Sequence, residues 1–271
     1  MMDMTLNSIK TEFLRIHVLL GDLTDDQINN DPDHIYRSHF ERLNRLAAVH
    51  VEEKVAQRLL SDPELRVAIR RISHLKRINS LRLEIKCAEL IVADPDPWER
   101  LEQFVYYPNY VELARMEYSG AKLNAHDRVV FLGSGPLPLS LICLYRQYGI
   151  ESTGIEQTQE YVELSGKLVK ALGLGGHIRI VHGNHFSLPF KEPCKLVMVG
   201  ADALPKKDIF AHLAKALCPG EMISYRIYEK GLRRLLDDQS LFSLPPEFSE
   251  CARIRPQPPV NNTSVFAAKV N

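Results

Sequence analysis

One stretch constrains the fold more than any other: "RVVFLGSGPLPLSLICLYRQYG", residues 128–149. Its apolar run 129–132 is too short for a helix and runs into glycines, which marks a buried strand. Gly133 and Gly135 lack a Cβ, so the chain can turn tightly there and approach a ligand closely. The apolar segment that follows reads as a helix closed by Gly149. The alternation continues: "IESTGIEQ" is a strand ending in an acid, "QEYVELSGKLVKALGLGG" a helix ended by glycines. "HIRIVHGN", "CKLVMVGADA", "EMISYRIYE", "CARIRP" and "TSVFAAKV" are further strands. Strand alternating with helix implies an α/β domain, a parallel sheet with helices on both faces, over residues 121–271.

Residues 1–120 have a different grammar. Phe40, Leu43, Leu46, Ala47, Val51 and Val55 recur at helical spacing through "HIYRSHFERLNRLAAVHVEEKVAQRLL", and "ELRVAIRRISHLKRINSLRLEIKCAELIVA" continues it. Pro63 follows a candidate N-cap, Ser61 or Asp62, and "DPDPWERL" ends one helix and caps the next. The expected organisation is an all-helical N-terminal domain, 1–120, closing over the active site of a Rossmann-like domain, 121–271. The 34 basic and 34 acidic residues balance, so no basic surplus points to nucleic acid. The five cysteines, Cys87, Cys143, Cys194, Cys218 and Cys251, are scattered and lack C-x-x-C spacing, which argues against a disulfide framework or a zinc site. The N-terminus has no cleavage-site pattern, and the most apolar run is broken by Gly and Pro. A cytoplasmic protein with no membrane partner is expected, and a homodimer is compatible with the sequence.

The ligand of such a sheet sits at the carboxyl ends of the strands. Gly133, Ser134, Gly135 and Pro136 would form its loop, and Glu156, about 20 residues on, would accept both ribose hydroxyls. Asn184 in "HGN" would flank an adenine, and Gly200 and Ala201 in "GADA" would lie against the ligand. A dinucleotide loop reads G-x-G-x-x-G, and its third glycine permits close helix packing around a pyrophosphate. Here that glycine is missing, and Pro138 removes an N–H that a phosphate would use. A nucleoside without a pyrophosphate, such as S-adenosylmethionine, is therefore expected in preference to a dinucleotide. "HGNH", residues 182–185, has the spacing of neither a helical nor a finger-type zinc pair, so no metal is expected.

"FLGSGPLPLS" with "GIE", the preceding "DPWERLEQFVYYPNYVELARMEY" and the terminal "VNNTSVFAAK" resemble the nicotianamine synthase family. Within it the chain looks most like the bacterial enzymes that make opine metallophores of the staphylopine and pseudopaline type. The resemblance covers roughly residues 75–271. It implies transfer of the 3-amino-3-carboxypropyl group of S-adenosylmethionine to the α-amino group of histidine, with release of methylthioadenosine. A downstream opine dehydrogenase would then condense the product with an α-keto acid. Nicotianamine synthase proper and a small-molecule methyltransferase are the alternative readings, and the enantiomer of the acceptor stays open.

An amine nucleophile, with an unperturbed pKa of about 8, must lose a proton before it attacks, and a positioned carboxylate can take it. The family places a glutamate base in the helix "SLRLEIKCAEL", which points to Glu84, with Glu89 on the same segment as the alternative. The family also has a functional tyrosine that maps to Tyr107 in "VYYPNY"; Tyr106 and Tyr110 are candidate substrate contacts. Arg226 in "SYRIYEKGLRR" has the geometry to bind a carboxylate with two hydrogen bonds, and Tyr228 accompanies it as a substrate contact.

Overall fold

The computed structural model describes residues 6–31, 35–188, 193–229, 231–236, 243–257 and 260–270. The chain forms two compact units, Met1–Arg82 with Tyr228–Leu241, and Leu83–Ile227 with Phe242–Asn271. The boundary falls inside a continuous helix, not at residue 120, and a later segment returns to the helical unit.

The helical unit contains α1 (Leu6–Leu20), α2 (Asp25–Asn29), α3 (Arg37–Ala47), α4 (Glu53–Ser61) and the first part of α5 (Pro63–Ala93). Thr24 caps α2 in a reciprocal arrangement with Gln27. Pro63 opens α5, and Asp62 Oδ1 accepts the Glu64 N–H, so Asp62 supplies the cap. The helical pattern read through 34–60 is broken: Glu52 is extended, and α3 and α4 are separate. The buried apolar residues of these helices, Ile9, Phe13, Ile16, Phe40, Leu43 and Ile72 among them, form one cluster. Leu232, Leu235 and Leu236, from the returning segment, complete it.

The second unit carries the rest of α5, then α6 (Pro97–Glu102), α7 (Tyr107–Gly120), β1 (Arg128–Leu132), α8 (Leu139–Tyr148), β2 (Glu151–Glu156), α9 (Gln159–Ala171) and β3 (Ile178–His182). These are followed by β4 (Leu196–Val199), α10 (Lys206–Ala216), β5 (Met222–Ile227), β6 (Phe248–Ile254) and β7 (Thr263–Lys269). Every strand expected from the sequence is present. The seven strands form one sheet in the order β3-β2-β1-β4-β5-β7-β6. The expectation of a parallel sheet holds for the first five strands and fails for the last two: β7 runs antiparallel to both β5 and β6. Among the described residues no helix separates β6 from β7, and without a crossover the second strand returns antiparallel. The chain reverses between β1 and β4, so the carboxyl ends of β1, β2 and β4 define the switch-point crevice. Val129, Phe131, Leu141, Leu144 and Leu168 pack one face of the sheet; Val130, Leu132, Ile209, Phe210 and Leu213 pack the other.

Candidate functional site

The loop after β1 turns on two left-handed glycines, Gly133 with φ 76° and Gly135 with φ 69°. Its amides face inward. Gly133 and Ser134 N–H both donate to the Ile155 carbonyl, at 2.9 and 3.2 Å, and Gly135 N–H donates to Glu156 Oε2 at 3.0 Å. Pro136 and Pro138 have no N–H to offer. A pyrophosphate needs a nest of outward amides, and this stretch spends its amides on β2. Ser134 is buried; a Cβ on Gly154 would meet its hydroxyl oxygen at 2.7 Å, so its side chain lies over β2. Gly200 belongs to the same crevice: a Cβ there would lie 3.0 Å from the carbonyl oxygens of both Leu132 and Gly133.

Glu156 ends β2 with its carboxylate buried among backbone groups. Oε2 holds Gly135, and Oε1 accepts the Thr158 N–H at 2.9 Å. Each oxygen keeps acceptor capacity for a hydroxyl, while a phosphate would be repelled. Asn184 has another task. Its side chain accepts the Phe186 N–H at 2.9 Å and caps a 3-10 turn, His185–Ser187. Gly183 N–H donates to the Glu156 carbonyl, which ties the end of β3 to that of β2. The carbonyls of Gly200 and Ala201 both accept from the buried ammonium of Lys206.

Glu84 stands at this loop. A Cβ on Gly135 would lie 3.6 Å from Glu84 Oε2, and the Tyr110 hydroxyl donates to Glu84 Oε1 at 3.3 Å. Glu89, on the same helix, is exposed. One turn from Glu84, Cys87 is pushed up to about 11 by burial and then by the Glu84 charge, so it stays a thiol. Tyr107 points elsewhere. Its hydroxyl accepts from Arg146 Nη1 at 2.9 Å, and the Arg146 guanidinium lies 4.5 Å above the Trp98 ring. Burial holds the Tyr107 hydroxyl above its ordinary pKa. Tyr106 stands edge-on to Phe104, with centroids 5.5 Å apart. The structure thus brings Tyr110, and not Tyr107, to the glutamate.

Arg226 is buried against the same tyrosine. Its Nε donates to Glu117 Oε1 at 3.3 Å and its Nη2 to Ser140 Oγ at 3.0 Å. Its guanidinium carbon lies 6.0 Å from the centroids of Tyr110 and Phe131. Tyr228 belongs to the helical unit, where the Lys76 ammonium sits 5.6 Å from its ring centroid. Glu117 and Lys206 were missed in the sequence because a buried charged residue on an amphipathic helix looks like any surface charge. Among the described residues no group of three or more His, Cys, Asp or Glu could hold a metal ion. A cavity of about 490 Å³, lined by Arg128, Ser152, Lys170 and Arg179, lies at the amino ends of the strands, opposite the loop. No helix among the described residues is long and apolar enough to cross a membrane.

A family model described as "Nicotianamine synthase protein" matches residues 3–184 and 192–271. Nicotianamine synthase-like 5 protein of Hordeum vulgare is 27% identical over 153 residues, 52% of this chain and 54% of that protein. Nicotianamine synthase 3 of Oryza sativa subsp. indica is 27% identical over 161 residues, 53% of this chain and 46% of that protein. The chain therefore spans about half the length of the curated relatives it matches. A glutamate-to-glutamine variant of MtNAS in complex with S-adenosylmethionine superposes with a TM-score of 0.86 at 26% identity, over 97% of this chain and 98% of that one. MtNAS in complex with MTA and tNA gives 0.83 at 25% identity, over 98% and 97%.

Proposed function

The chain belongs to the nicotianamine synthase family, and from that premise we propose that it moves the 3-amino-3-carboxypropyl group of S-adenosylmethionine to the α-amino group of histidine. The single observation that carries the transfer is the seating of Glu84, on Tyr110, beside the Gly135 turn. A base set there meets an amine brought to a ligand in the loop. The loop itself suits a nucleoside without phosphates, since its amides are turned onto Ile155 and Glu156. Glu156 would hold the ribose hydroxyls. S-adenosylmethionine supplies an electrophilic carbon on its sulfonium; the amine nitrogen bonds to that carbon as the carbon–sulfur bond breaks, and the sulfur departs as methylthioadenosine. Glu84 takes the proton that the amine loses, and the Tyr110 hydroxyl fixes the orientation of that carboxylate. Alignment by rigid neighbours then contributes much of the rate.

The histidine acceptor and a place in opine-type metallophore synthesis rest on the resemblance in sequence. So does a downstream opine dehydrogenase; a cytoplasmic location rests on the scattered cysteines, which suit a reducing compartment, and a homodimer is compatible with the sequence. The test is mass spectrometry of the purified protein with S-adenosylmethionine and L- or D-histidine. Methylthioadenosine with a histidine adduct carrying one aminobutyrate is expected. Repeated additions would favour nicotianamine synthase proper, and S-adenosylhomocysteine would mean a methyltransferase. Glu84→Gln should keep S-adenosylmethionine affinity and lose roughly a hundred- to ten-thousandfold in turnover; equal turnover would remove Glu84 from the mechanism.

A further inference from the structure

The Arg226 guanidinium lies in a brace built from three elements. Glu117 on α7 is 1% exposed, Ser140 in the first turn of α8 is 1% exposed, and Ser264 on β7 is fully buried. Glu117 Oε1 accepts from both Arg226 Nε and Ser264 Oγ, each at 3.3 Å, while Ser140 Oγ takes Nη2. Arg226 Nη1 has no hydrogen-bond partner among the described residues. Glu117 Oε2, which is buried, has none either.

Stability is a poor account of this cluster. Burying a carboxylate and a guanidinium costs several kcal/mol of desolvation per ion, and apolar residues of similar volume often serve a core as well or better. An unmatched carboxylate oxygen adds to the cost. The arrangement does accomplish one thing. It clamps one edge of a planar fork, with Nε and Nη2 spent on protein and Nη1 not, in a guanidinium whose carbon lies 6.0 Å from the ring centroid of Tyr110, the residue whose hydroxyl holds Glu84. A guanidinium held at one edge is preorganised to receive a carboxylate oxygen at the other.

We infer that Glu117 is a positioning residue that holds Arg226, through its Nε and with Ser140 on Nη2, as the receptor for an α-carboxylate beside Glu84. This deepens the transfer proposed above and rests on it for the identity of the ligand. Two carboxylates have the required chemistry, that of the aminocarboxypropyl group of S-adenosylmethionine and that of the amino-acid acceptor.

The test has two arms on the full-length protein and on Glu117→Gln, Ser140→Ala and Arg226→Lys. In the first, calorimetry compares S-adenosylmethionine with its decarboxylated form, with no acceptor present. In the second, methylthioadenosine release compares kcat/KM for histidine and for histamine. A charged hydrogen bond predicts that the parent protein prefers the carboxylated partner by roughly ten- to a hundredfold in one arm, and that arm identifies the source. In that arm Glu117→Gln and Ser140→Ala should each shrink the preference about tenfold, with the decarboxylated compound bound as before. A merely structural role would weaken both compounds together. That result overturns the inference, as does a preference absent from both arms of the parent protein or unchanged in folded variants. Should Glu117→Gln fail to fold, Ser140→Ala keeps every charge and decides alone. If the parent protein releases no methylthioadenosine with any amine, the proposed function falls, while the first arm still reads the carboxylate receptor.

Discussion

Replacing Gly154 with alanine tests how the cofactor loop is held. Gly154 lies in β2, between Phe131 of β1 and Ile180 of β3. An added Cβ would stand 2.7 Å from Ser134 Oγ, 2.8 Å from Ser134 Cβ and 3.0 Å from Ile180 Cδ1. Carbon atoms in contact prefer about 3.5–4.0 Å, so Ser134 must move by several tenths of an ångström. It has little freedom to do so. It is 4% exposed, and its neighbours are tied by the Gly133, Ser134 and Gly135 amides to Ile155 and Glu156. Overpacking of this kind costs about 1–3 kcal/mol. Part of the strain will be relieved by stretching the charge-assisted Gly135–Glu156 bond, which disturbs the carboxylate proposed to hold the ribose hydroxyls. A loss of about 1.4 kcal/mol there lowers S-adenosylmethionine affinity tenfold. Urea unfolding reads the first effect and titration calorimetry the second. Ser134→Gly removes both serine atoms from the clash. The double variant should recover about 1–2 kcal/mol relative to additivity, over the loss of about 0.5–1 kcal/mol from the new glycine. If Gly154→Ala leaves the midpoint and the affinity unchanged, or if the two substitutions simply add, the loop is not held as described.

Two further predictions are independent of this one. Tyr110→Phe should cut kcat by at least about tenfold by releasing the Glu84 carboxylate, while Tyr107→Phe should cost only about 0.5–1.5 kcal/mol of stability at Arg146; steady-state kinetics with thermal melts on both variants would expose a reversal. In the helical unit, the Arg42 guanidinium donates Nη2 to Glu12 Oε2 at 2.7 Å and holds the Glu12 carboxyl below its ordinary 4.5. A depressed folded pKa stabilises above the unfolded value and loses that contribution as pH falls through it. For this partly exposed pair the gain is at most about 1 kcal/mol. The gap in urea midpoint between the parent and Glu12→Gln should therefore be present at pH 7 and close below about pH 4.5; a gap that widens on acidification would contradict the assignment.

Much of the Rossmann unit was legible because its signals are local. The run Val129–Leu132, the glycines at 133 and 135 and the acid closing β2 each follow from neighbouring residues, and so does the absence of a phosphate-binding turn. Helix breaks without Gly or Pro are not local in this sense: the separation of α3 from α4 at Glu52 has no composition mark. Nor is the unit boundary, which lies inside α5 where helical grammar continues unbroken, or the return of Leu232, Leu235 and Leu236 to a core some 150 residues earlier in the chain.

By itself, then, the sequence determined the seven strands, the shape of the loop after β1 and the placing of Glu156, since each depends on backbone preferences within a few residues. Tertiary structure alone decided the rest. Glu84 and Glu89 are five residues apart on one helix, about 140° around its axis, and only packing says that the first meets the loop while the second is exposed. Tyr107 and Tyr110 share nearly one helical face, yet their hydroxyls end on Arg146 and Glu84. Glu117 reaches Arg226 across 109 residues of chain. A side chain's partner depends on which surfaces the folded chain brings together, and no spacing along the sequence carries that.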